Sequence, residues 1–281
     1  MSVHLSFCYR GKNMSKLLFF DIDGTLIECH KGIYAISPAN QRSLDELKAN
    51  GHHVFLATGR CQCFITEGVY FYPFDGYVTC NGGYVEYQKK PIFKAVVPAQ
   101  AIKATMQLAK EMEINYYFEA NDKIYVADRN DPRHKEFARN WGMKPETIID
   151  DFDPEQIETY IGMVVVKNKA DIPAMIERLS PYFDVQRHQS EYSFDLTLRG
   201  VSKALGIAKI VAALNQDMAD TIAFGDGRND VEMLQSAGIG VAMKNAMPEA
   251  LAAADEICDA VENDGITSWL QNKKLITYKN E

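Results

Sequence analysis

Asp21 and Asp23 stand two residues apart, directly after the apolar run Lys16-Leu-Leu-Phe-Phe20. Residues i and i+2 of an extended chain point to the same side, so both carboxylates are expected together, with Ile22 opposite. Carboxylates that close repel unless a cation lies between them or one stays protonated. Asp226 and Asp230, in Gly225-Asp-Gly-Arg-Asn-Asp230, would raise the local acid count to four. An oxygen cluster of this kind suits Mg2+, which prefers carboxylate and water ligands in an octahedron. Thr58, in Thr58-Gly59-Arg60, offers a hydroxyl and neighbouring backbone N–H groups to a phosphate, and Lys203 offers a compact positive charge to the same anion.

These residues can act together only if the chain gathers them. The run ending at Phe20 is apolar on both faces, as suits a central parallel strand covered by helices on both sides. Ser37-Pro38 opens a helix with a cap residue and a first-turn proline, and Gly51 closes it after Leu44 and Leu47. His53–Ala57 is a second buried strand and runs into Thr58. Strand, helix, strand is a right-handed crossover unit, so the chain opens as a doubly wound α/β domain. The pattern returns late in the sequence: a helix from Ser202-Lys203 to Leu214, a strand at Thr221–Phe224, a helix to Ser236, a strand at Ile239–Ala242, a helix from Met247 and a strand at Glu256–Cys258. Ligands of open α/β sheets bind beyond the carboxyl ends of the strands. Three such ends carry the polar residues: Asp21 with Asp23, Thr58, and Asp226 with Asn229 and Asp230. Capping of a following helix would explain any one of these acids, but not all of them in company with Thr58 and Lys203.

Between the two halves the texture changes. Tyr84–Tyr87 and Ile92–Val97, joined by Gln88-Lys-Lys-Pro91, read as a hairpin. Helices at Ala99–Glu113, near Pro132–Trp141 and at Ile172–Leu179 then alternate with strands at Asn115–Glu119, Lys123–Asp128, Tyr160–Val166, Phe183–Arg187 and Tyr192–Leu198. Strand pairs separated by helices indicate an antiparallel sheet with helices on one face. The expected organisation is a Rossmann-like parallel-sheet core, residues 1–83 and 196–281, with an inserted α+β cap domain over 84–195. Segments near Gly83 and Asp195 are expected to hinge the cap. Residues 1–13 read as a disordered extension.

Composition bounds the remaining classes. With 47% apolar and 24% charged residues among 281, the chain is an ordinary globular protein. Its 30 basic against 38 acidic residues leave a net charge of −8, which argues against a nucleic-acid binder working by phosphate neutralisation. No apolar stretch is long enough to span a bilayer. The six cysteines read as reduced thiols of a cytoplasmic protein. Cys61-Gln-Cys63 has the look of a ligand pair but no second Cys/His pair at zinc spacing. Tyr116, Tyr117, Phe118 and Tyr125 read as cap core. The chain is expected to be a monomer or homodimer.

In order along the chain, Asp21-Ile-Asp-Gly-Thr-Leu26, Thr58-Gly-Arg60, Lys203 and Gly225-Asp-Gly-Arg-Asn-Asp230 resemble the four motifs of the haloacid dehalogenase superfamily of phosphatases. The layout is similar to the Cof-type group, class IIB, whose α+β cap is inserted between the second and third motifs. Thr79-Cys-Asn-Gly-Gly83, Lys244-Asn-Ala246 and Val261-Glu-Asn-Asp-Gly265 resemble further elements of that group. The resemblance implies a Mg2+-dependent phosphatase of small phosphorylated metabolites, sugar phosphates or phosphorylated cofactors, working through an aspartyl phosphate. It implies Asp21 as nucleophile and Asp23 as general acid and then base. Mg2+ would be held by Asp21, the Asp23 backbone carbonyl, Asp226 and Asp230, and the phosphoryl oxygens by Thr58, Gly59, Lys203 and Asn229. Asn81, Arg60 and Asn245 are candidate substrate contacts. Arg228 stands where the group commonly has an acid and reads as a solvated side chain. Arg187, His188, Tyr192 and the loop after Arg129 are candidate cap contacts to the leaving group. A phosphomutase of the phosphomannomutase type has a similar layout, but nothing in the sequence shows the protection of an aspartyl phosphate from water that a mutase needs. A catalytically silent phosphate-binding protein is opposed by the presence of every motif residue needed for turnover.

Overall fold

The computed structural model describes residues 15–132, 134–135, 145–187 and 191–278. The expected extension over residues 1–13, most of the helix expected over 132–141, and His188 lie outside the described residues. Leu17–Phe20 is a strand all of whose side chains are fully buried. It is central because both of its edges are paired in parallel, to Thr221–Gly225 on one side and His53–Ala57 on the other.

Eight strands form the core sheet in the spatial order Glu256–Cys258, Ile239–Met243, Thr221–Gly225, Leu17–Phe20, His53–Ala57, Gly76–Thr79, Tyr84–Tyr87 and Lys90–Lys94. The first six are parallel and the last two antiparallel. The register is fixed by aromatic pairs on both faces. Phe20 lies level with Phe224, their rings stacked 5.0 Å apart, and Phe55 stacks on Phe19 at 4.9 Å. Fully burying such a side chain is worth about 1.5–3 kcal/mol, so a slipped register is strongly disfavoured. One face packs on Leu44 and Leu47 of the helix Pro38–Ala49 and on Ile266 and Leu270 of the helix Gly265–Asn272. The other packs on Ile207, Ile210 and Val211 of the helix Lys203–Ala213 and on Met233. The core is thus the doubly wound α/β layer that the sequence predicts. Ser37 and Ser202 cap their helices as expected, accepting from the N–H groups of Asn40 and Leu205.

The second sheet has six strands in the order Phe183–Arg187, Ser193–Leu198, Ile161–Val165, Asn115–Glu119, Ile124–Val126 and Ile148–Ile149, antiparallel except for the last pair. Helices Ala99–Met112 and Ile172–Leu179 cover one face, with Tyr116 and Phe118 in the core between. The opposite face packs Tyr117, Ile161 and Met163 against Cys61, Phe64, Cys80 and Tyr84 of the core domain.

The boundaries differ from those expected. The hairpin Tyr84–Lys94 extends the core sheet through Tyr84–Tyr87 pairing with Gly76–Thr79, so it is not the start of the cap. A hairpin reads alike in sequence whichever sheet edge it joins. The expected return at 195/196 falls inside Ser193–Leu198, a strand of the cap sheet. The chain passes between sheets at residues 95–98 and 199–202 instead. Neither expected hinge lies there: Asp195 is in mid-strand, and a Cβ at Gly83 would come within 2.5 Å of the Tyr160 carbonyl oxygen.

Gly82 has a left-handed φ of +92°, and a Cβ on it would lie 2.0 Å from the Ser202 carbonyl oxygen. This close approach sets the turn at residues 80–82 against the start of the Lys203 helix. Gly82→Ala should therefore cost more than the roughly 1–2 kcal/mol of left-handed strain alone. Gly51→Ala, at φ +85° with open space around it, should cost only that strain. Urea midpoints of the two variants check the order, and equal midpoints would contradict this packing.

Candidate active site

The strands Thr221–Gly225, Leu17–Phe20, His53–Ala57 and Gly76–Thr79 are immediate neighbours in the sheet. Their carboxyl ends therefore deliver Asp226, Asp21, Thr58 and Asn81 to one edge, level with one another because the register aligns Phe20 with Phe224 and Leu56. The chain leaves the strand geometry after Phe20. Asp21 still donates its N–H to the Phe224 carbonyl at 3.0 Å, but the N–H groups of Leu26 and Ile27 turn back onto the Ile22 carbonyl. Gly24 occupies this turn at φ +78°, where a Cβ would overlap the Asp226 carboxylate.

The two neighbouring aspartates take different partners after this turn, although the charge of Asp23 still acts on Asp21. Asp21 is buried and accepts a hydrogen bond from Lys203 Nζ at 2.7 Å. The same Nζ donates to Asp230 Oδ1 at 2.6 Å. Asp230 Oδ2 accepts from the backbone N–H groups of Asp226 and Gly227 at 2.9 and 2.8 Å, so this carboxylate also shapes the loop that presents Asp226. Lys203 is 1% exposed, yet its ammonium stays charged: burial opposes the charge, and Asp21 and Asp230 together outweigh it. Asp23 pairs with a different cation. Arg60 grips it with two parallel bonds, Nε to Oδ2 at 2.8 Å and Nη2 to Oδ1 at 2.6 Å, while Arg60 Nη1 donates to the Phe64 carbonyl at 2.7 Å. The Asp23 side chain is 46% exposed against 8% for Asp21, so one carboxylate faces the cleft while the other is shut in.

Oxygen atoms of Asp21, Asp226 and Asp230 lie within 4.8 Å of one another. Burial pushes the Asp21 carboxyl up to about 7 against the pull of Lys203. Burial, with the charges of Asp21 and Asp230, pushes Asp226 up to about 9. Fully ionised, the three carboxylates would carry two negative charges more than Lys203 offsets, and this repulsion together with burial is what favours the protonated forms of Asp21 and Asp226. A divalent cation with oxygen ligands fits that donor set and that charge.

The other expected residues have partners within the protein. Thr58 Oγ1 accepts from the Arg60 N–H at 3.1 Å, and residues 58–60 are clasped by backbone bonds from Asn81 and Cys80. Gly59 lies against the Asn81–Asn229 pair, in which Asn229 Nδ2 donates to Asn81 Oδ1 at 3.0 Å. Asn81, itself in a left-handed conformation, also donates to Thr197 Oγ1 of the cap sheet at 3.2 Å. Asn245 Nδ2 donates to the Gly24 carbonyl at 2.8 Å and so braces the Asp21 turn. Arg60, Asn81 and Asn245 thus hold other parts of the site in place, in keeping with the structural turn role that the sequence allowed the two asparagines beside contact with substrate. Arg228 pairs with Glu249 at the surface. Arg187 pairs in register with Phe194, whose ring packs under the cap helices, and the Tyr192 ring lies beneath Lys169. Asp195 pairs with Met163 and Glu119 with Ile161 on the face that meets the core; the sequence named Asp195 as a hinge position, and neither acid as a site residue. Thr25, which donates to Asp226 Oδ1 at 3.3 Å, was missed as well.

Among the described residues, no helix is long and apolar enough to cross a membrane. The family model for haloacid dehalogenase-like hydrolases matches residues 18–270. The Bacillus subtilis protein YkrA, a phosphatase by name, is 34% identical over 263 residues, which cover 93% of this chain and 99% of YkrA. The 5-amino-6-(5-phospho-D-ribitylamino)uracil phosphatase YbjI of Escherichia coli is 28% identical, over 89% of this chain and 93% of its own. The subclass IIB sugar phosphatase BT4131 superimposes with a TM-score of 0.80 at 27% identity, over 93% of this chain and all of its own. A family match over most of the length, carried by the motif residues that meet at the sheet edge, settles the membership: the chain belongs to the haloacid dehalogenase-like hydrolases, as a phosphatase of their Cof-type, subclass IIB branch.

Proposed function

We propose that this chain is a Mg2+-dependent phosphatase of small phosphorylated metabolites, such as sugar phosphates or phosphorylated cofactors, that works through a phosphorylated Asp21. The observation that carries the reading is the split between the two aspartates. Asp21 is shut in with a cation, and Asp23 is half exposed on an arginine clamp. Paired carboxylates in contrasting surroundings serve as a nucleophile and a proton carrier respectively.

In this scheme an Asp21 oxygen attacks phosphorus while Lys203, the Thr58 hydroxyl and the Gly59 N–H hold the phosphoryl oxygens, where charge placement is most of the catalysis. Asp23 hands a proton to the departing alcohol and later takes one from the hydrolytic water. The Arg60 fork keeps its carboxyl aimed through both steps, and Asn229, locked by Asn81, borders the phosphate. Mg2+ would be held by Asp21, the Asp23 backbone carbonyl and Asp226, with Asp230 nearby, and when bound it supplies positive charge to a phosphoryl oxygen. Names of relatives that act on sugar phosphates or on a ribityl phosphate support a polyhydroxylated leaving group. So does the cap face that meets the core, with the acceptors Asp195 and Glu119 and the hydroxyl of Thr197. Phosphate release from a panel of phosphorylated metabolites, with Mg2+ and with chelator, tests the reading; no release from any ester in the presence of Mg2+ would overturn it.

Because burial and mutual repulsion push Asp21 and Asp226 toward their protonated forms without a cation, chelation should reduce turnover by about a hundredfold or more, and added Mg2+ should restore it. Full activity in excess chelator, measured as phosphate release, would remove the metal from this scheme.

The two aspartates should also separate kinetically. Asp21→Asn should lose turnover by about 10⁴-fold or more and form no phospho-enzyme. Asp23→Asn should slow phospho-enzyme formation by about 10²–10⁴-fold with alkyl phosphates. It should do so much less with aryl phosphates, whose leaving groups need little protonation. Rapid-quench measurement of phospho-enzyme distinguishes the cases, and equal defects on both ester types would deny Asp23 the acid role.

A further inference from the structure

Two thiols unused by this chemistry lie where the cap meets the core. Cys61 and Cys63 face each other with their Sγ atoms 3.2 Å apart. They sit in the short turn that follows Arg60, closed by bonds from the Phe64 N–H to the Cys61 carbonyl and from the Ile65 N–H to the Gln62 carbonyl. The cap touches the same turn: the Cys63 N–H donates to the Asn121 carbonyl at 3.0 Å, and Asn121 Nδ2 donates to Gln62 Oε1 at 2.5 Å. Cys61 is fully buried, while Cys63 is partly open to solvent. A metal role for the pair lacks further ligands, since the described side chains that could converge on an ion are Asp21, Asp226 and Asp230.

We infer that Cys61 and Cys63 are a redox modification site: a peroxide converts them to a disulfide that slows the enzyme, and thiol reductants reverse it. The two thiols divide the work. The S–H of Cys61 donates to Cys63 and draws the Cys63 thiol down toward its thiolate, whereas burial pushes the Cys61 thiol well up. Cys63 is thus both the more nucleophilic and the more accessible sulfur. Its thiolate attacks one oxygen of the peroxide, the O–O bond breaks, and the other oxygen leaves as water or an alcohol after taking a proton. The resulting Cys63 sulfenic acid is attacked by the Cys61 sulfur. The S–S bond forms as the S–O bond breaks, and the Cys61 proton leaves with the hydroxyl as water. The two sulfurs give up two electrons, and the peroxide takes them.

The link to catalysis is the turn itself. A disulfide needs the sulfurs about 2.05 Å apart, so they must close by more than 1 Å. The Phe64 carbonyl that anchors Arg60 lies on the same turn, and Arg60 in turn aims Asp23. A shift of about 1 Å in such supporting groups can cost up to a hundredfold in rate.

The activity half of this inference rests on the phosphatase reading, and the covalent half does not. Hydrogen peroxide treatment followed by digestion with trypsin and Glu-C gives the fragment 61–67, which contains both thiols but not Cys80. That fragment should be lighter by two hydrogen atoms, and phosphate release should fall about ten- to a hundredfold and return with dithiothreitol. Cys63→Ser should show unchanged untreated activity and no loss under peroxide. An intact dithiol in the fragment, or a crosslink to Cys80 instead, would overturn the site. A disulfide with unchanged turnover, or equal inactivation of Cys63→Ser, would overturn its control of activity. Untreated enzyme inactive on every ester would instead refute the phosphatase reading, and the fragment mass would still decide the disulfide.

Discussion

A lysine with no access to water, held between two carboxylates, is the interaction on which this molecule turns. A buried ammonium costs several kcal/mol to desolvate unless its partners are placed well, and removing one partner leaves the other charge stranded. Lys203 therefore requires Asp21 and Asp230 at the same point, although 182 and 27 residues of chain separate it from them. That requirement ties the first strand, the loop after Thr221–Gly225 and the start of the Lys203 helix into one unit. Gly82 and Gly24 exist in left-handed turns because their neighbours must approach that unit closely.

The same constraint creates the need for a further cation. With one ammonium among three carboxylates, Asp21 and Asp226 are pushed toward their protonated forms, the opposite of what a nucleophile or a ligand needs. The site is therefore poised by its own repulsion to take up a divalent ion. Asp23 has its own cation in Arg60 and stays half exposed, the setting that the proposed proton carrier requires.

Around that centre the cap acts through few contacts on the catalytic edge. Asn81 reaches Thr197, and the turn after Arg60 meets Asn121 and the apolar face of the cap sheet. Each of these contacts adjoins a loop that bears a functional residue. These contacts join the cap sheet to the Asn81–Asn229 pair and to the turn that anchors Arg60.

The sequence by itself determined the α/β core, the strands that end in functional residues and the identity of the charged groups. Runs such as Leu17–Phe20 are apolar on both faces, and the acids fall at their ends, a local pattern that needs no tertiary information. At Asp21 and Asp23 it could not tell their partners: the strand stops at Phe20, and beyond the glycine turn one carboxylate meets Lys203 and the other Arg60. Local pattern was equally silent on which sheet the hairpin Tyr84–Lys94 would join, since either edge satisfies the same alternation. The partner of Arg60 was likewise beyond it: a long guanidinium pairs with whatever carboxylate lies within reach in space, and Asp23, 37 residues away in sequence, comes within reach only after the strands His53–Ala57 and Leu17–Phe20 have paired.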